Sequence, residues 1–206
     1  MFILGLTGSI GMGKTTAAKA FRFFGVPTYD ADAAVHQLTG SGGRAVASVE
    51  AAFPGVVKNG AVDRMALGKK VFDDSDAIKK LEAILHPLVR KAQFHFLKQA
   101  AKRKEKLVVL DIPLLFETGG FEFCDAVAVV SAPAFLQRIR VLSRHGMTPD
   151  KLVAILNKQI PDIEKRRRAD FIILTGLGRG FSLRCIGEIV KVASQFSGKK
   201  WPLRNY

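Results

Sequence analysis

The chain has 206 residues, 48% of them hydrophobic, and a formal charge of +14 from 32 basic and 18 acidic side chains. That apolar fraction excludes a disordered chain, and no apolar run approaches the ~18 residues that span a membrane. The two cysteines, Cys124 and Cys185, are too few for a disulfide framework, so reduced thiols and a cytoplasmic setting are expected, with no leader before the first strand.

In chain order, Phe2-Ile3-Leu4-Gly5-Leu6 is a short apolar run, read as a buried strand. It runs into Gly8-Ser9-Ile10-Gly11-Met12-Gly13-Lys14-Thr15, which fits G-x-x-x-x-G-K-[ST], the phosphate-binding P-loop. Thr15 to Phe24 follows as a helix with Ala17, Ala18, Phe21 and Phe24 at helical spacing. Strand, glycine loop and helix thus stand in the order the motif needs. The glycines let backbone N–H groups turn toward phosphate, and the helix start adds its positive dipole end. Lys14 is expected at the β/γ-phosphates, and the Thr15 hydroxyl at Mg²⁺.

Further strands are expected at Val26–Asp30, Leu107–Asp111, Ala126–Val130 and Phe171–Leu174. Their continuous apolar character suits a parallel sheet covered on both faces, hence an α/β, three-layer architecture. Between the second and third strands no strand signal is read. Helices are expected there at Ala31–Leu38, Arg44–Phe53, Arg64–Phe72, Ser75–Leu85 and Pro87–Lys104, the last opened by its proline. So long a helical stretch exceeds a crossover and reads as an insert over a substrate. A second helical insert is expected from Ala134 to Arg168, with Thr148-Pro149 starting one of its helices. A final helix from Ser182 to about Phe196 shows Leu183, Ile186, Val190 and Ala193 on one stripe.

Several side chains could carry chemistry. Asp30-Ala31-Asp32 follows the second strand, at the sheet edge where open parallel sheets bind ligands. Asp30 is read as a helix cap and Asp32 as the chemical carboxylate. Asp111 ends the third strand, where a P-loop protein carries its metal-supporting acid. Arg140 and Arg144, four apart, are expected to share a helix face and clamp ATP phosphates, with Arg138 on an exposed face. His36, His95 and His145 form no metal-ligand pattern. The basic clusters Lys98–Lys106, Lys165–Arg168 and Lys199–Arg204 read as solvated faces or phosphate attractors. Aromatics are not interleaved with them as base-stacking would need.

Taken together, L-T-G-x-I-G-x-G-K-[ST] (Leu6 to Thr15), D-A-D (Asp30 to Asp32), H-P-L-V-R (His86 to Arg90), D-I-P-L-L-F-E (Asp111 to Glu117) and R-x-x-x-R (Arg140 to Arg144), with Gln159 and Ala169-Asp170 beyond, resemble the dephospho-coenzyme A kinase family over nearly the full length. The resemblance implies ATP-dependent phosphorylation of the ribose 3′-hydroxyl of dephospho-CoA. It implies one P-loop kinase domain over 1–206: a core of 1–30, 105–133 and 169–206 with a five-stranded parallel sheet, a helical CoA-binding insert over 31–104, and a helical lid over 134–168. Gly8, Gly11, Met12, Gly13, Lys14, Thr15, Thr16 and Arg144 would hold ATP, and Thr15 with Asp111 the Mg²⁺. Lys14, Asp32 and Arg140 would be catalytic. Asp32, His86, Pro87, Arg90, Leu114 and Leu115 would lie at the acceptor. The implied partner is a small molecule, with no nucleic acid and no membrane. Two places depart from the family's usual pattern. Ser9 stands where Gly is common, and Leu174-Thr175-Gly176-Leu177-Gly178 replaces a D-N-x-G segment that lies near the adenine.

Other readings are a nucleoside monophosphate kinase-like enzyme, a signalling GTPase and a basic nucleic-acid-binding ATPase. The long insert with His86-Pro87 argues against the first. Asn157-Lys158-Gln159-Ile160 lacks the acid of the guanine-reading N-K-x-D, against the second. The +14 charge alone motivates the third.

Overall fold

Apolar runs bounded by glycine turns and capped helices give the elements in this order: β1 (Phe2–Thr7), α1 (Lys14–Phe23), β2 (Thr28–Asp30), α2 (Ala31–Thr39), α3 (Val46–Ala52), β3 (Val57–Lys58), β4 (Ala61–Val62), α4 (Arg64–Val71), α5 (Ser75–Lys102), β5 (Leu107–Asp111), β6 (Ala126–Ser131), α6 (Ala134–Leu142), α7 (Pro149–Asn157), α8 (Asp162–Arg167), β7 (Phe171–Leu174) and α9 (Arg179–Ala193). The computed structural model describes residues 1–72 and 74–202. It comprises two units, Asp30–Gln99 and a larger one of Met1–Tyr29 with the described residues from Ala100 onward.

The larger unit is built on a five-stranded sheet in the order β2-β5-β1-β6-β7. β1 pairs in parallel with β5 and β6, and β6 with β7. β1, β5 and β6 are buried at every position, as strands covered on both faces must be. Chain order reverses direction at β1, so the loop after β1 sits at the switch point where such sheets bind ligands. Leu6 is in register with Asp111, which brings the end of β5 beside the start of the P-loop. The core gathers Leu4, Leu6, Phe21, Val109, Ala128, Val130, Ile173 and Ile186 from strands, α1 and α9.

In α9 the buried face differs from the expected stripe. It is Ser182, Ile186, Ile189 and Ala193, with Leu183 exposed and Val190 half-buried. Ile186 and Ala193 are common to both, and Ser182 is accommodated in the buried face because its hydroxyl donates to Leu174 O at 2.9 Å. Beyond α9, Asp125 accepts from the N–H groups of Lys199 and Lys200 at 2.6 and 3.0 Å. Arg204 of that basic cluster lies outside the described residues.

The smaller unit has its own core of Ala45, Val49, Phe53, Val56, Val62 and Leu67, lined by Leu81, Ile84 and Leu88. It corrects the sequence reading twice. β3 and β4 form an antiparallel hairpin where no strand was expected. Two-residue strands leave no periodic signal, and Asn59-Gly60, both at positive φ, form its turn. Second, α5 is one helix with Pro87 inside it, not two helices. The ring removes one backbone donor, but Ile84, Leu85 and Leu88 keep that stretch packed on the core. Glu50 secures the neighbouring loop by accepting from the N–H groups of Gly55, Val56 and Val57. Those bonds, Gly55 foremost, hold its carboxyl below the ordinary range.

Candidate active site

The P-loop is shaped by residues that press on its glycines. Gly11 (φ +76°) and Gly13 (φ +96°) adopt the left-handed region. A Cβ on Gly11 would lie 2.5 Å from Val141 Cγ2, and one on Gly13 3.2 Å from Thr175 Oγ1. Ser9 is not among the positive-φ residues, so a side chain is tolerated there. It is buried, and its carbonyl accepts from Met12 N at 3.1 Å. Gly13 is the N-cap of α1 and supplies no side-chain cap. In the first turn of α1 the Thr16 N–H donates to Gly13 O at 3.0 Å, and the helix start ahead of it presents a positive end to an anion.

Lys14 Nζ lies 2.5 Å from Asp111 Oδ1, and the Asp111 side chain is only 4% exposed. The ammonium is thus held at the mouth of the loop by a buried carboxylate. Arg140 on α6 donates from Nη1 to Thr175 Oγ1 at 3.0 Å and from Nη2 to Thr175 O at 2.8 Å, with Gly11 O at 3.5 Å from Nη1. Lys14, Asp111, Arg140 and the P-loop are therefore gathered in the larger unit. Thr15 and Thr16 are exposed in the first turn of α1.

Other residues stand differently from expectation. Arg144 is not on the helix with Arg140, because α6 ends at Leu142. It is exposed in the following turn. Arg138 is exposed, as read from the sequence. Met12 is buried, and its sulfur accepts from Ala132 N at 3.1 Å. Its N–H is spent on Ser9, so its part in the cradle is to shape the turn. Leu115 is fully buried while Leu114 is exposed. A Cβ on Gly5 would meet Leu115 at 2.7 Å, which makes Leu115 a core residue whose side chain is closed to an acceptor.

In the smaller unit, Asp30 caps α2 by accepting from Ala33 N at 2.9 Å, the structural role expected of it. Asp32 is exposed in the first turn of that helix. His86, Pro87 and Arg90 are exposed on α5, with His86 and Arg90 one turn apart inside the helix rather than at its start.

Four side chains stand apart from their sequence reading: Gln137 has no part in it, Gln159 stands only within the family pattern, Thr175 only in a segment near the adenine, and Lys165 in a solvated run. Gln137 donates to Ile10 O at 2.8 Å, and Gln159 accepts from Ile10 N at 3.1 Å, so the two successive peptides that meet at Ile10 are both held. Thr175 donates to Met12 O at 2.6 Å. Lys165, read as part of a solvated basic run, is fully buried, with Nζ 2.8 Å from Glu117 Oε1. Glu117 also accepts from Ile160 N at 3.0 Å. Burial pushes the Glu117 carboxyl up, but the Lys165 ammonium and two backbone N–H groups outweigh it and hold the carboxyl below its ordinary range. A buried Gln on an otherwise apolar helix face was the one available hint of Gln137. Nothing in a basic run distinguishes its buried member.

Among the described residues no group of three or more His, Cys, Asp or Glu side chains could hold a metal ion. No described helix is long and apolar enough to cross a membrane.

A family model described as "Dephospho-CoA kinase" matches residues 2–177. A relative named "Dephospho-CoA kinase" from Paramagnetospirillum magneticum is 64% identical over 166 residues, covering 81% of this chain and 78% of its own. Another of that name, from Brucella melitensis, is 54% identical over 199 residues, 97% of each chain. Among solved structures, TT1252 from Thermus thermophilus superposes with a TM-score of 0.81 at 32% identity, covering 96% of this chain and 98% of its own. A dephospho-CoA kinase from Campylobacter jejuni superposes with a TM-score of 0.64 at 26% identity, covering 94% and 98%.

Proposed function

The chain belongs to the dephospho-CoA kinase family, and from that premise we propose how its own residues carry out the transfer of a phosphoryl group from ATP to the ribose 3′-hydroxyl of dephospho-CoA. It is a phosphotransferase, and coenzyme A is its product. The observation that carries the assignment of roles is the gathering of Lys14, Asp111 and Arg140 around the P-loop glycines.

The N–H groups at the start of α1 bind the phosphate oxygens, and Lys14 neutralises charge at the β/γ bridge. Arg140 faces the same anion from the other side of the loop and offsets charge that builds on the moving phosphoryl. Asp32 accepts the proton of the 3′-hydroxyl, or orients it, as the oxygen attacks in line. His86, Arg90 and Leu114 contribute to the acceptor site. Leu115 supports it from the core. The segments over 31–104 and 134–168 act as substrate insert and lid.

Mg²⁺ fits the donors available. It takes hard oxygen ligands and commonly needs only one or two carboxylates beside water and phosphate, which Asp111 and the Thr15 hydroxyl provide. When bound it supplies charge neutralisation of the phosphates. The partner is a small molecule and not nucleic acid. A cytoplasmic location accords with free Cys124 and Cys185. Burial pushes the Cys124 thiol up to about 12, which leaves it inert.

The test is the structure of the product. Phosphorus NMR of the reaction with ATP and dephospho-CoA should give a new 3′-phosphomonoester resonance. Phosphate appearing on any other hydroxyl, or only as inorganic phosphate, contradicts the assignment.

A further inference from the structure

Thr175 stands in the segment that departs from the family's usual pattern, yet it is tied into the phosphate site by four bonds. Its N–H donates to Ser131 O at 2.9 Å, which extends the β6–β7 pairing one step past Leu174 and fixes the residue to the sheet. Its hydroxyl donates to Met12 O at 2.6 Å and accepts from Arg140 Nη1 at 3.0 Å. Its carbonyl accepts from Arg140 Nη2 at 2.8 Å. A hydroxyl has one hydrogen and two lone pairs. The hydrogen goes to Met12 O rather than to Ser131 O, which is 3.5 Å away.

The consequence follows from peptide geometry. The Met12 carbonyl and the Gly13 N–H belong to one planar trans unit and point in opposite directions. Holding that carbonyl on Thr175 turns the Gly13 N–H away from Thr175. That N–H belongs to the N-cap of α1, where an anion is attracted. The same oxygen that fixes this donor also receives the Arg140 guanidinium.

We propose that Thr175 is a positioning residue for phosphoryl transfer, whose single hydroxyl sets both the Met12–Gly13 peptide and the guanidinium of Arg140. The inference rests on the roles given above to the P-loop and Arg140. It assigns the departing segment to the phosphates.

Thr175→Val keeps the branched shape and removes the hydroxyl. It should lower kcat/KM for ATP by about tenfold to a hundredfold, since the charge-assisted bond from Arg140 and the donor to the Met12 carbonyl are both lost. KM for dephospho-CoA should stay within about twofold, a selectivity that general loss of folded protein would not produce. Thr175→Ser, which restores the hydroxyl, should recover activity to within about threefold of wild type. Should T175V not fold, Thr175→Cys takes its place with the same expectation. In a double-mutant cycle, T175V added to Arg140→Met should cost less than T175V alone, because the part of its effect that passes through Arg140 is already gone and only the Met12–Gly13 part remains. If R140M turns over normally, the role of Arg140 is wrong and the inference falls with it. If R140M is slow while T175V matches wild type, or the two effects simply add, the role of Arg140 stands and the inference alone is overturned.

Discussion

Lys14 and Asp111 form an ion pair of 2.5 Å across the mouth of the P-loop, with the carboxylate almost wholly buried. The register of Leu6 with Asp111 makes this pairing possible, because it sets the end of β5 beside the loop that follows β1. Removing Lys14 takes a counter-charge from the carboxylate near phosphate, and neutralising Asp111 releases the ammonium from its anchor. Lys14→Ala should weaken ATP binding and slow transfer together. Asp111→Asn should cut kcat by about a hundredfold or more, as losses of electrostatic groups at reacting centres do. Steady-state kinetics with titrated Mg²⁺ check both, and near-normal kcat in D111N refutes the role of the carboxylate.

Asp32→Asn should separate binding from chemistry. The change keeps size and removes the proton acceptor, so kcat should fall by about two to four orders of magnitude. ATP affinity, read by fluorescence titration, should stay near wild type. Turnover close to wild type would remove Asp32 from the mechanism.

The loop glycines are required by geometry. A Cβ at Gly11 would meet Val141 at 2.5 Å on a backbone at φ +76°. Gly11→Ala should therefore destabilise by about 1–3 kcal/mol through overpacking and strain, which lowers Tm by about 2–4 °C per kcal/mol for a chain of this size. It should also reduce ATP affinity.

The buried pair of Lys165 and Glu117 ties the end of the second helical insert to the core. Glu117→Ala leaves a fully buried ammonium alone and should cost about 3–5 kcal/mol, whereas joint replacement by apolar residues should cost much less. The pair also sets an acid limit. The folded Glu117 carboxyl lies below its unfolded value of about 4.3. It contributes stability in full above that value and loses it as pH falls through the folded value. Wild type should lose stability on acidification below about pH 4, and E117A should show a flatter acid limb in thermal melts.

Much of the fold was legible because its signals are local. Continuous apolar runs mark β1, β5, β6 and β7, and a hydroxyl followed by proline marks the start of α7, where Thr148 accepts from Lys151 N. The hairpin of β3 and β4 was not legible, since two residues cannot show a period. Pro87 misled because packing on both sides outweighs one lost donor. At the site, the P-loop motif is contiguous and was read directly. Gln137, Gln159 and Thr175 act through backbone groups far away in sequence, at separations of 127, 149 and 163 residues. Only the folded sheet brings them to the loop. The fate of Lys165 was hidden for the same reason.

The central claim is tested most directly by coupled ADP release with ATP and Mg²⁺, measured with dephospho-CoA, with a nucleoside monophosphate, and with no acceptor. The account predicts rapid, saturable ADP release with dephospho-CoA and only background release in the other two. Equal release without an acceptor, or faster release with the nucleoside monophosphate, would contradict it.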